Sequence, residues 1–213
     1  MDLLIFDLDG TVVDSQKDLT RAVNLTRADY GLEALSVETV CGYLGSGVRV
    51  LVDKVMPRQK LSTEADIRIA LEKFQNHYAS CLIDTTKPYD GIIDVLEKYQ
   101  NKKKVILSNK SEYFSKEIIN LLGLSKYFLE VWGGDTLDEK KPSPKPVLEL
   151  LKKMSVSPDK AVMIGDGVND VLAAKAAGIK SVAALYGYSG KDEILKLNPD
   201  FTVNSPSEIV NII

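Results

Sequence analysis

Short apolar runs recur along the chain, and most of them end in polar residues or glycine. Runs of this length are typical of buried β-strands rather than helices. Six strands are predicted in this way: Leu3–Asp7, Lys104–Leu107, Phe128–Trp132, Ala161–Ile164, Ser181–Ala184 and Phe201–Val203. Helical spacing of apolar residues lies between them, at Ile92–Tyr99, Ser111–Leu122, from Pro144 onward and at Asn169–Ala177. This alternation predicts an α/β fold with a doubly wound, Rossmann-like parallel sheet.

Residues 15–86 interrupt the alternation with a stretch that contains only helical patterns. Apolar residues of Asp18–Asp29 recur at helical spacing, and Gly31 is a suitable stop. Further helices are predicted at Val37–Leu44, Val48–Met56 and Thr63–Leu82. The chain therefore reads as an α/β core interrupted, after its first strand, by an all-α insertion.

Composition excludes several classes of partner. The formal net charge of −3 gives no electrostatic reason to expect nucleic acid or an anionic membrane surface. No apolar run approaches the roughly 20 residues of a membrane span, and no basic region precedes the first apolar run. The two cysteines, Cys41 and Cys81, are expected to be free thiols in a reducing cytoplasm.

Polar residues of useful kinds follow the predicted strands. Asp7 and Asp9 follow the first strand, Ser108 and Asn109 follow the next, and Asp166 follows a later one, with Asp170 four residues on. Lys141 stands just before a proline. Ligands of open α/β sheets bind at the carboxyl ends of the strands, so these side chains are expected to meet there.

The carboxylates suggest a magnesium site. Asp7 and Asp9, two residues apart, would face the same way in an extended chain and would raise one another's pKa unless a cation lay between them. Mg²⁺ takes a few carboxylates together with water and phosphate oxygens, and Asp166 is a natural third ligand. A single histidine, His77, and two cysteines argue against zinc.

The same residues supply the parts of a phosphoryl transfer. An aspartate can attack phosphorus as a covalent nucleophile, and Lys141 would add positive charge. Ser108 and Asn109 can donate hydrogen bonds to the phosphate oxygens that do not react. Asp9 could protonate the leaving oxygen and later deprotonate water.

These segments resemble the four motifs of the haloacid dehalogenase-like hydrolase superfamily: Asp7-Leu8-Asp9-Gly10-Thr11, Ser108-Asn109, Lys141 and Gly165-Asp166-Gly167-Val168-Asn169-Asp170. The resemblance implies Asp7 as nucleophile and Asp9 as acid/base. It implies Mg²⁺ held by Asp7, Asp166 and the backbone carbonyl of Asp9, with Asp170 in support. Gly10, Thr11, Ser108, Asn109 and Lys141 are then expected to bind substrate.

The resemblance also implies a domain division. Residues 1–14 and 87–213 would form the catalytic core, and residues 15–86 would form a helical cap, with hinges near Asp14–Ser15 and Lys87–Pro88. The segment Tyr43-Leu44-Gly45-Ser46-Gly47-Val48-Arg49 resembles the cap loop of phosphoglycolate phosphatases. Arg49 is a candidate for binding a second phosphate or a carboxylate.

The expected function is Mg²⁺-dependent hydrolysis of a small phosphorylated metabolite, 2-phosphoglycolate, by a monomer or homodimer. Alternatives from the same superfamily are a sugar-phosphate phosphomutase, a pyrophosphatase and a nucleotidase. A noncatalytic phospho-receiver or binding module is the alternative from another class. Receiver domains also pair aspartates with a lysine, but they are much shorter and lack a helical insertion.

Overall fold

A computed structural model of the chain describes residues 1–212. Its strands are β1 (Leu3–Phe6), β2 (Val13–Asp14), β3 (Lys87–Pro88), β4 (Lys103–Leu107), β5 (Glu130–Trp132), β6 (Ala161–Gly165), β7 (Lys180–Ala184) and β8 (Phe201–Val203). Its α-helices are α1 (Gln16–Asp29), α2 (Val37–Cys41), α3 (Val48–Val55), α4 (Glu64–Ser80), α5 (Ile92–Lys98), α6 (Glu112–Leu121), α7 (Lys145–Met154), α8 (Val168–Ala176) and α9 (Lys191–Leu195). Short 3₁₀ turns cover Arg58–Lys60, Ser125–Tyr127, Pro158–Lys160 and Pro206–Asn211.

Six strands form one parallel sheet in the order β5-β4-β1-β6-β7-β8. The central strand β1 pairs with β4 on one side and β6 on the other, with Ile5 opposite both Val105 and Met163. Helices cover both faces, as a parallel sheet requires for its apolar strands to be buried. The predicted doubly wound α/β fold is confirmed.

Side chains of β1 alternate between two apolar layers, because successive residues of a strand point to opposite faces. Leu3 and Ile5 pack in a cluster with residues of α7 and α8. Leu4 and Phe6 pack in the other cluster, which includes residues of α5, α6 and the inserted helices. All four side chains are fully buried. The first strand thus lies at the centre of the core and fixes the position of the residues that follow it.

Helices α1 to α4 and their connections, which we call the helical segment (residues 16–80), pack mainly on one another. Among these helices, α1 and α4 make the most extensive contact. Helix α4 begins after Thr63, whose hydroxyl accepts from the backbone of Asp66 while the Asp66 carboxylate accepts from the backbone of Thr63. This reciprocal capping box explains why the helix starts there.

A two-stranded antiparallel ribbon joins the ends of the helical segment to the core. In it Val13 pairs with Pro88, and Asp14 pairs with Lys87. The apolar pattern does not predict this ribbon, because each strand has two residues and one contains proline. The ribbon coincides with the two predicted hinge positions, although the domain division itself stays a prediction.

Other differences from the predicted elements are small. Helix α2 ends at Cys41 rather than Leu44, and α4 ends at Ser80 rather than Leu82. The pattern does not predict α9, a five-residue helix that buries only Ile194. After β8 the chain forms a 3₁₀ turn over Pro206–Asn211. Among the helices of residues 1–212, none combines the length and the apolar character that crossing a membrane requires.

Candidate active site

Three neighbouring strands deliver polar residues to one edge of the sheet. Asp7 follows β1, Ser108 follows β4 and Asp166 follows β6. The Asp7 backbone N–H donates to the Ile164 carbonyl at 2.9 Å, so the residue is held in line with the sheet. The convergence expected from the sequence is therefore present in the fold.

A cluster of buried carboxylates forms the centre of this edge. Oxygen atoms of Asp7, Asp166 and Asp170 lie within 4.8 Å of one another. The Lys141 Nζ lies 3.0 Å from Asp7 Oδ1 and 2.5 Å from Asp170 Oδ1. The other oxygen of Asp170 accepts from the Gly167 backbone N–H at 2.9 Å, at the start of α8. One ammonium thus lies between two of the three carboxylates.

Burial dominates the electrostatics of the cluster. Burial raises the pKa of Asp7 to about 7; the Asp170 and Asp9 carboxylates add to the rise, and the Lys141 ammonium opposes it. Burial, with the charges of Asp7 and Asp170, raises the pKa of Asp166 to about 8. Burial would lower the pKa of Lys141, but Asp170 and Asp7 outweigh it and the pKa is raised. Lys141 therefore stays charged, but its one ammonium does not prevent the rise in the pKa values of Asp7 and Asp166.

This donor set fits a hard divalent cation. The ligand atoms are carboxylate oxygens, which Mg²⁺ prefers, and a second positive charge would offset the burial and the repulsion that raise two of their pKa values. Neither histidine nor cysteine belongs to the cluster. The cluster contains Asp170, whereas the resemblance implies Asp9 as a ligand through its backbone carbonyl.

The Asp9 side chain points elsewhere. Asp9 Oδ1 accepts from the Ser15 hydroxyl and, at 2.9 Å, from Lys110 Nζ. The same Nζ lies 2.6 Å from the hydroxyl of Tyr78, which comes from α4. The backbone at Gly10 turns with a φ of +78°, which separates the direction of the chain after Asp9 from that of β1. The two carboxylates of the first motif thus have different surroundings.

Asn109 holds two other parts of the molecule. Its Nδ2 donates to the Gly45 carbonyl and to the Lys141 carbonyl, both at 2.9 Å. Both amide hydrogens are used, so in this arrangement its side chain has none left for the predicted donation to phosphate. Its Oδ1 is buried without a partner. The Ser108 hydroxyl accepts from the Lys110 backbone N–H at 3.3 Å and keeps its own proton available.

Residues 45–47, which we call the Gly45–Gly47 loop, are fastened to the sheet edge. Besides Asn109, the Asn169 side chain donates to the Gly45 carbonyl at 3.0 Å. The Lys140 ammonium donates to the Ser46 carbonyl at 2.8 Å. The loop precedes α3, so these contacts fix one corner of the helical segment over the carboxylate cluster.

Gly10 and Thr11 contact the cluster from behind. The Thr11 hydroxyl donates to Asp166 Oδ1 at 3.2 Å, and a Cβ on Gly10 would collide with the Asp166 carboxylate. Both residues therefore contact Asp166, and their binding of substrate stays a prediction. The Tyr188 backbone N–H completes the set by donating to Asp166 Oδ2 at 2.7 Å.

Arg49 is the predicted binding residue that the structure does not bring to this site. Its guanidinium pairs with both carboxylate oxygens of Glu64, at 2.6 and 2.8 Å, and its side chain is 49% exposed. Arg49 lies one position into α3, beyond the Gly45–Gly47 loop that reaches the sheet edge.

A cavity of about 90 Å³ lies between the sheet edge and the helical segment. Asp7, Asp9, Ser108, Lys110 and Asp166 line it from the core, whereas Lys141 lies beneath the surface. From the helical segment come mainly apolar side chains: Leu44, Val48, Leu51 and Phe74. Cys41 also lines the cavity, but burial raises the pKa of its thiol to about 11, so it is no competing nucleophile at neutral pH.

Several cavity residues were not predicted from the sequence. Lys110 follows Ser108 and Asn109 directly, and Tyr188 follows β7 by a few residues. Both lie after predicted strands, so the rule that located Asp7 and Asp166 could have located them too. Tyr78 carries no such signal, because its position depends on how the helical segment packs.

Fold and site together define a class of α/β enzymes, in which aspartates and a lysine meet at the carboxyl edge of a parallel sheet beneath a helical insertion. The family model of haloacid dehalogenase-like hydrolases matches residues 4–184. A phosphoglycolate phosphatase from Aquifex aeolicus is 42% identical over 217 residues, covering 100% of this chain and 96% of the relative.

Two further comparisons agree. Phosphoglycolate phosphatase 1 from Pseudomonas aeruginosa is 34% identical, covering 98% of this chain and 78% of the relative. The crystal structure of a predicted phosphoglycolate phosphatase from Haemophilus somnus superposes with a TM-score of 0.93 at 29% identity, covering 100% of this chain and 97% of that one. The chain belongs to the haloacid dehalogenase-like hydrolase family and is a phosphatase.

Proposed function

We propose that the protein hydrolyses the phosphomonoester of a small anionic metabolite, and that 2-phosphoglycolate is its substrate. The observation that carries the proposal is the buried cluster of Asp7, Asp166 and Asp170, with the Lys141 ammonium between two of them and Asp9 nearby. The small cavity and the names of the full-length relatives support the choice of substrate. The apolar residues above the cavity offer few partners to the hydroxyls of a sugar phosphate.

Asp7 would act first. One of its carboxylate oxygens attacks phosphorus, the bond from phosphorus to the ester oxygen breaks, and Asp9 protonates the leaving oxygen to release the alcohol. Asp9 then takes a proton from water, whose oxygen attacks the phosphorus of the aspartyl-phosphate. Inorganic phosphate leaves, and the Asp7 carboxylate is restored.

The other residues would neutralise and orient the phosphoryl group. Lys141 contributes a fixed positive charge beside Asp7, and the Ser108 hydroxyl can donate to an oxygen that does not react. A bound Mg²⁺, held by Asp7, Asp166 and the Asp9 backbone carbonyl with Asp170 nearby, would offset the repulsion between phosphate and carboxylates. Thr11 and Gly10 support Asp166 in this arrangement.

Residues 15–86 are proposed as a cap over a core formed by residues 1–14 and 87–213. Closure of the cap would exclude bulk water during the reaction, and opening would release product. The contacts of the Gly45–Gly47 loop and the ribbon at residues 13–14 and 87–88 support this division. A cytoplasmic location fits the two free cysteines, and a monomer or homodimer remains the expected assembly.

A panel of phosphorylated metabolites tests the function. We expect phosphate release from 2-phosphoglycolate to exceed that from sugar monophosphates, nucleotides and pyrophosphate, and EDTA to abolish it. Isomerised sugar phosphate without net phosphate release would indicate a mutase instead. A stable phosphoprotein without turnover would indicate a receiver-like role.

A further inference from the structure

Lys110 places a fixed ammonium group inside the cavity. It lies on the loop after β4, and its side chain is only 8% exposed. Its Nζ is held by Asp9 Oδ1 at 2.9 Å and by the Tyr78 hydroxyl at 2.6 Å, and it lies 4.6 Å from the centre of the Tyr78 ring. A carboxylate of the core and a hydroxyl of the helical segment thus both contact this ammonium.

Among the described residues that line the cavity, Lys110 is the only lysine or arginine. Lys141 lies beneath the surface between Asp7 and Asp170, and Arg49 pairs with Glu64 outside the cavity. A second anionic group on a substrate would therefore have Lys110 as its one positively charged partner among these residues.

The position of Lys110 also matches the leaving group. Its Nζ contacts the carboxylate of Asp9, which is the proposed donor of a proton to the leaving oxygen. The cation therefore lies on the side of the cavity where the alcohol departs. In 2-phosphoglycolate a single methylene separates the ester oxygen from the carboxylate carbon, so the carboxylate would lie within reach of the same region.

We infer that Lys110, held by Tyr78, is the specificity-determining residue that binds the carboxylate of a short phosphorylated acid. This inference rests on the proposed function and identifies how the site would recognise that substrate. It differs from a role in which Lys110 only positions Asp9, because positioning would affect every phosphomonoester alike, whereas recognition affects only those with an anionic tail.

The test compares two substrates of similar size in the wild type and in Lys110→Met, which removes the charge and keeps an unbranched side chain one atom shorter. The substrates are 2-phosphoglycolate and 2-hydroxyethyl phosphate, which replaces the carboxylate by a neutral group. We expect Lys110→Met to lower the ratio of their kcat/KM values about 100-fold, and Lys110→Arg to keep most of it. An equal fall for both substrates would overturn the inference and leave Lys110 a positioning residue.

The two proposals fail separately. If the wild type prefers another short anionic phosphoester, 2-phosphoglycolate is the wrong substrate, and the same ratio for that ester and a neutral analogue tests Lys110. If the wild type shows no preference for an anionic tail, the inference about Lys110 is wrong. If neither ester is hydrolysed, the proposed function fails. Recognition by Lys110 is then tested by calorimetry, which measures the affinity of 2-phosphoglycolate for Asp7→Asn with and without Lys110→Met. Unchanged affinity there would refute recognition by Lys110, and a loss of about 100-fold would support it.

Discussion

The Asp18 carboxylate accepts hydrogen bonds from both the backbone N–H and the hydroxyl of Thr86, 68 residues further along the chain, each at 2.7 Å. The backbone and hydroxyl of Thr85 donate to the same carboxylate. Asp18 lies in the first turn of α1, and the threonines lie just before β3. One buried carboxylate therefore joins the beginning of the helical segment to the segment that returns to the core.

We predict that Asp18→Asn lowers the free energy of unfolding by about 3 kcal/mol at pH 7, because several donors to a charged acceptor are lost or misaligned. Burial would raise the pKa of Asp18, but the donors from Thr86 and Thr85 outweigh it and the pKa is lowered. The stabilisation is thus present above the ordinary pKa of aspartate and is lost as pH falls through the lower folded-state value.

Urea denaturation at several pH values measures this effect. The matched control is Asp84→Asn, which removes a nearby carboxylate from an exposed pair with Arg21 and should cost less than about 1 kcal/mol. The difference between Asp18→Asn and the wild type should shrink below about pH 4. Equal effects of the two substitutions at pH 7 would show that the Asp18 contacts do not matter for stability.

For the Asp166 carboxylate we predict the opposite dependence of stability on pH in the metal-free protein. Its folded-state pKa of about 8 lies above its ordinary value, so between about pH 4 and pH 8 the folded protein holds a proton that the unfolded chain has released. Stability should therefore fall as pH rises through this range. Asp166→Asn cannot titrate, so its stability should fall less steeply.

Urea denaturation in EDTA at pH 5, 6.5 and 8 measures how the free energy of unfolding changes with pH in the wild type and in Asp166→Asn. Between pH 5 and pH 8, the free energy of unfolding of the variant should rise on the order of 2 kcal/mol relative to that of the wild type. Adding Mg²⁺ at pH 8 should stabilise the wild type and have a much smaller effect on the variant, because a bound cation favours the folded state. Parallel slopes and equal responses to Mg²⁺ would contradict the assignment of Asp166 to a cation site.

Gly47 offers a test of how the Gly45–Gly47 loop fits the core. A Cβ at Gly47 would lie 2.7 Å from Lys140 Nζ and 3.1 Å from the Asn109 carbonyl, so Gly47→Ala should push the loop away from the sheet edge. We expect KM for the substrate to rise about tenfold, since the cavity loses its closed shape.

Gly45→Ala is the matched control. Gly45 has nearly the same φ, +91° against +92° for Gly47, but a Cβ there would meet nothing within 4 Å. Both variants place alanine at a positive φ, and only Gly47→Ala adds the collision. Equal KM values for the two variants, measured by steady-state phosphate release, would show that docking of this loop does not control substrate binding.

Much of the fold follows from simple patterns in the sequence. The run at Leu3–Phe6 reads as a buried strand because it is apolar at every position, and it occupies the centre of the sheet with both faces covered. The ribbon of Val13–Asp14 with Lys87–Pro88 was not predicted, because two residues leave no periodicity to read. Its formation depends on pairing between residues that lie more than 70 positions apart in the sequence, Val13 with Pro88 and Asp14 with Lys87.

The site was predictable where backbone geometry decides it. Asp7 and Asp166 follow adjacent strands, so their proximity requires only the strand order. The direction of Asp9 was not predictable in the same way. An extended chain would place its carboxylate beside that of Asp7, but β1 ends at Phe6 and the turn at Gly10 leaves Asp9 paired with Lys110. Tyr78 reaches this pair only through the packing of α4, which local sequence does not encode.

The most direct measurement of the central claim is the turnover of Asp7→Asn with p-nitrophenyl phosphate and Mg²⁺, beside an Asp2→Asn control whose carboxylate lies at the surface. Thermal unfolding of the variant would establish that its fold is intact. If Asp7 accepts the phosphoryl group, the rate should fall by at least about 10⁴-fold while the control keeps wild-type activity. A folded Asp7→Asn enzyme that retains activity within tenfold of the wild type would contradict the account.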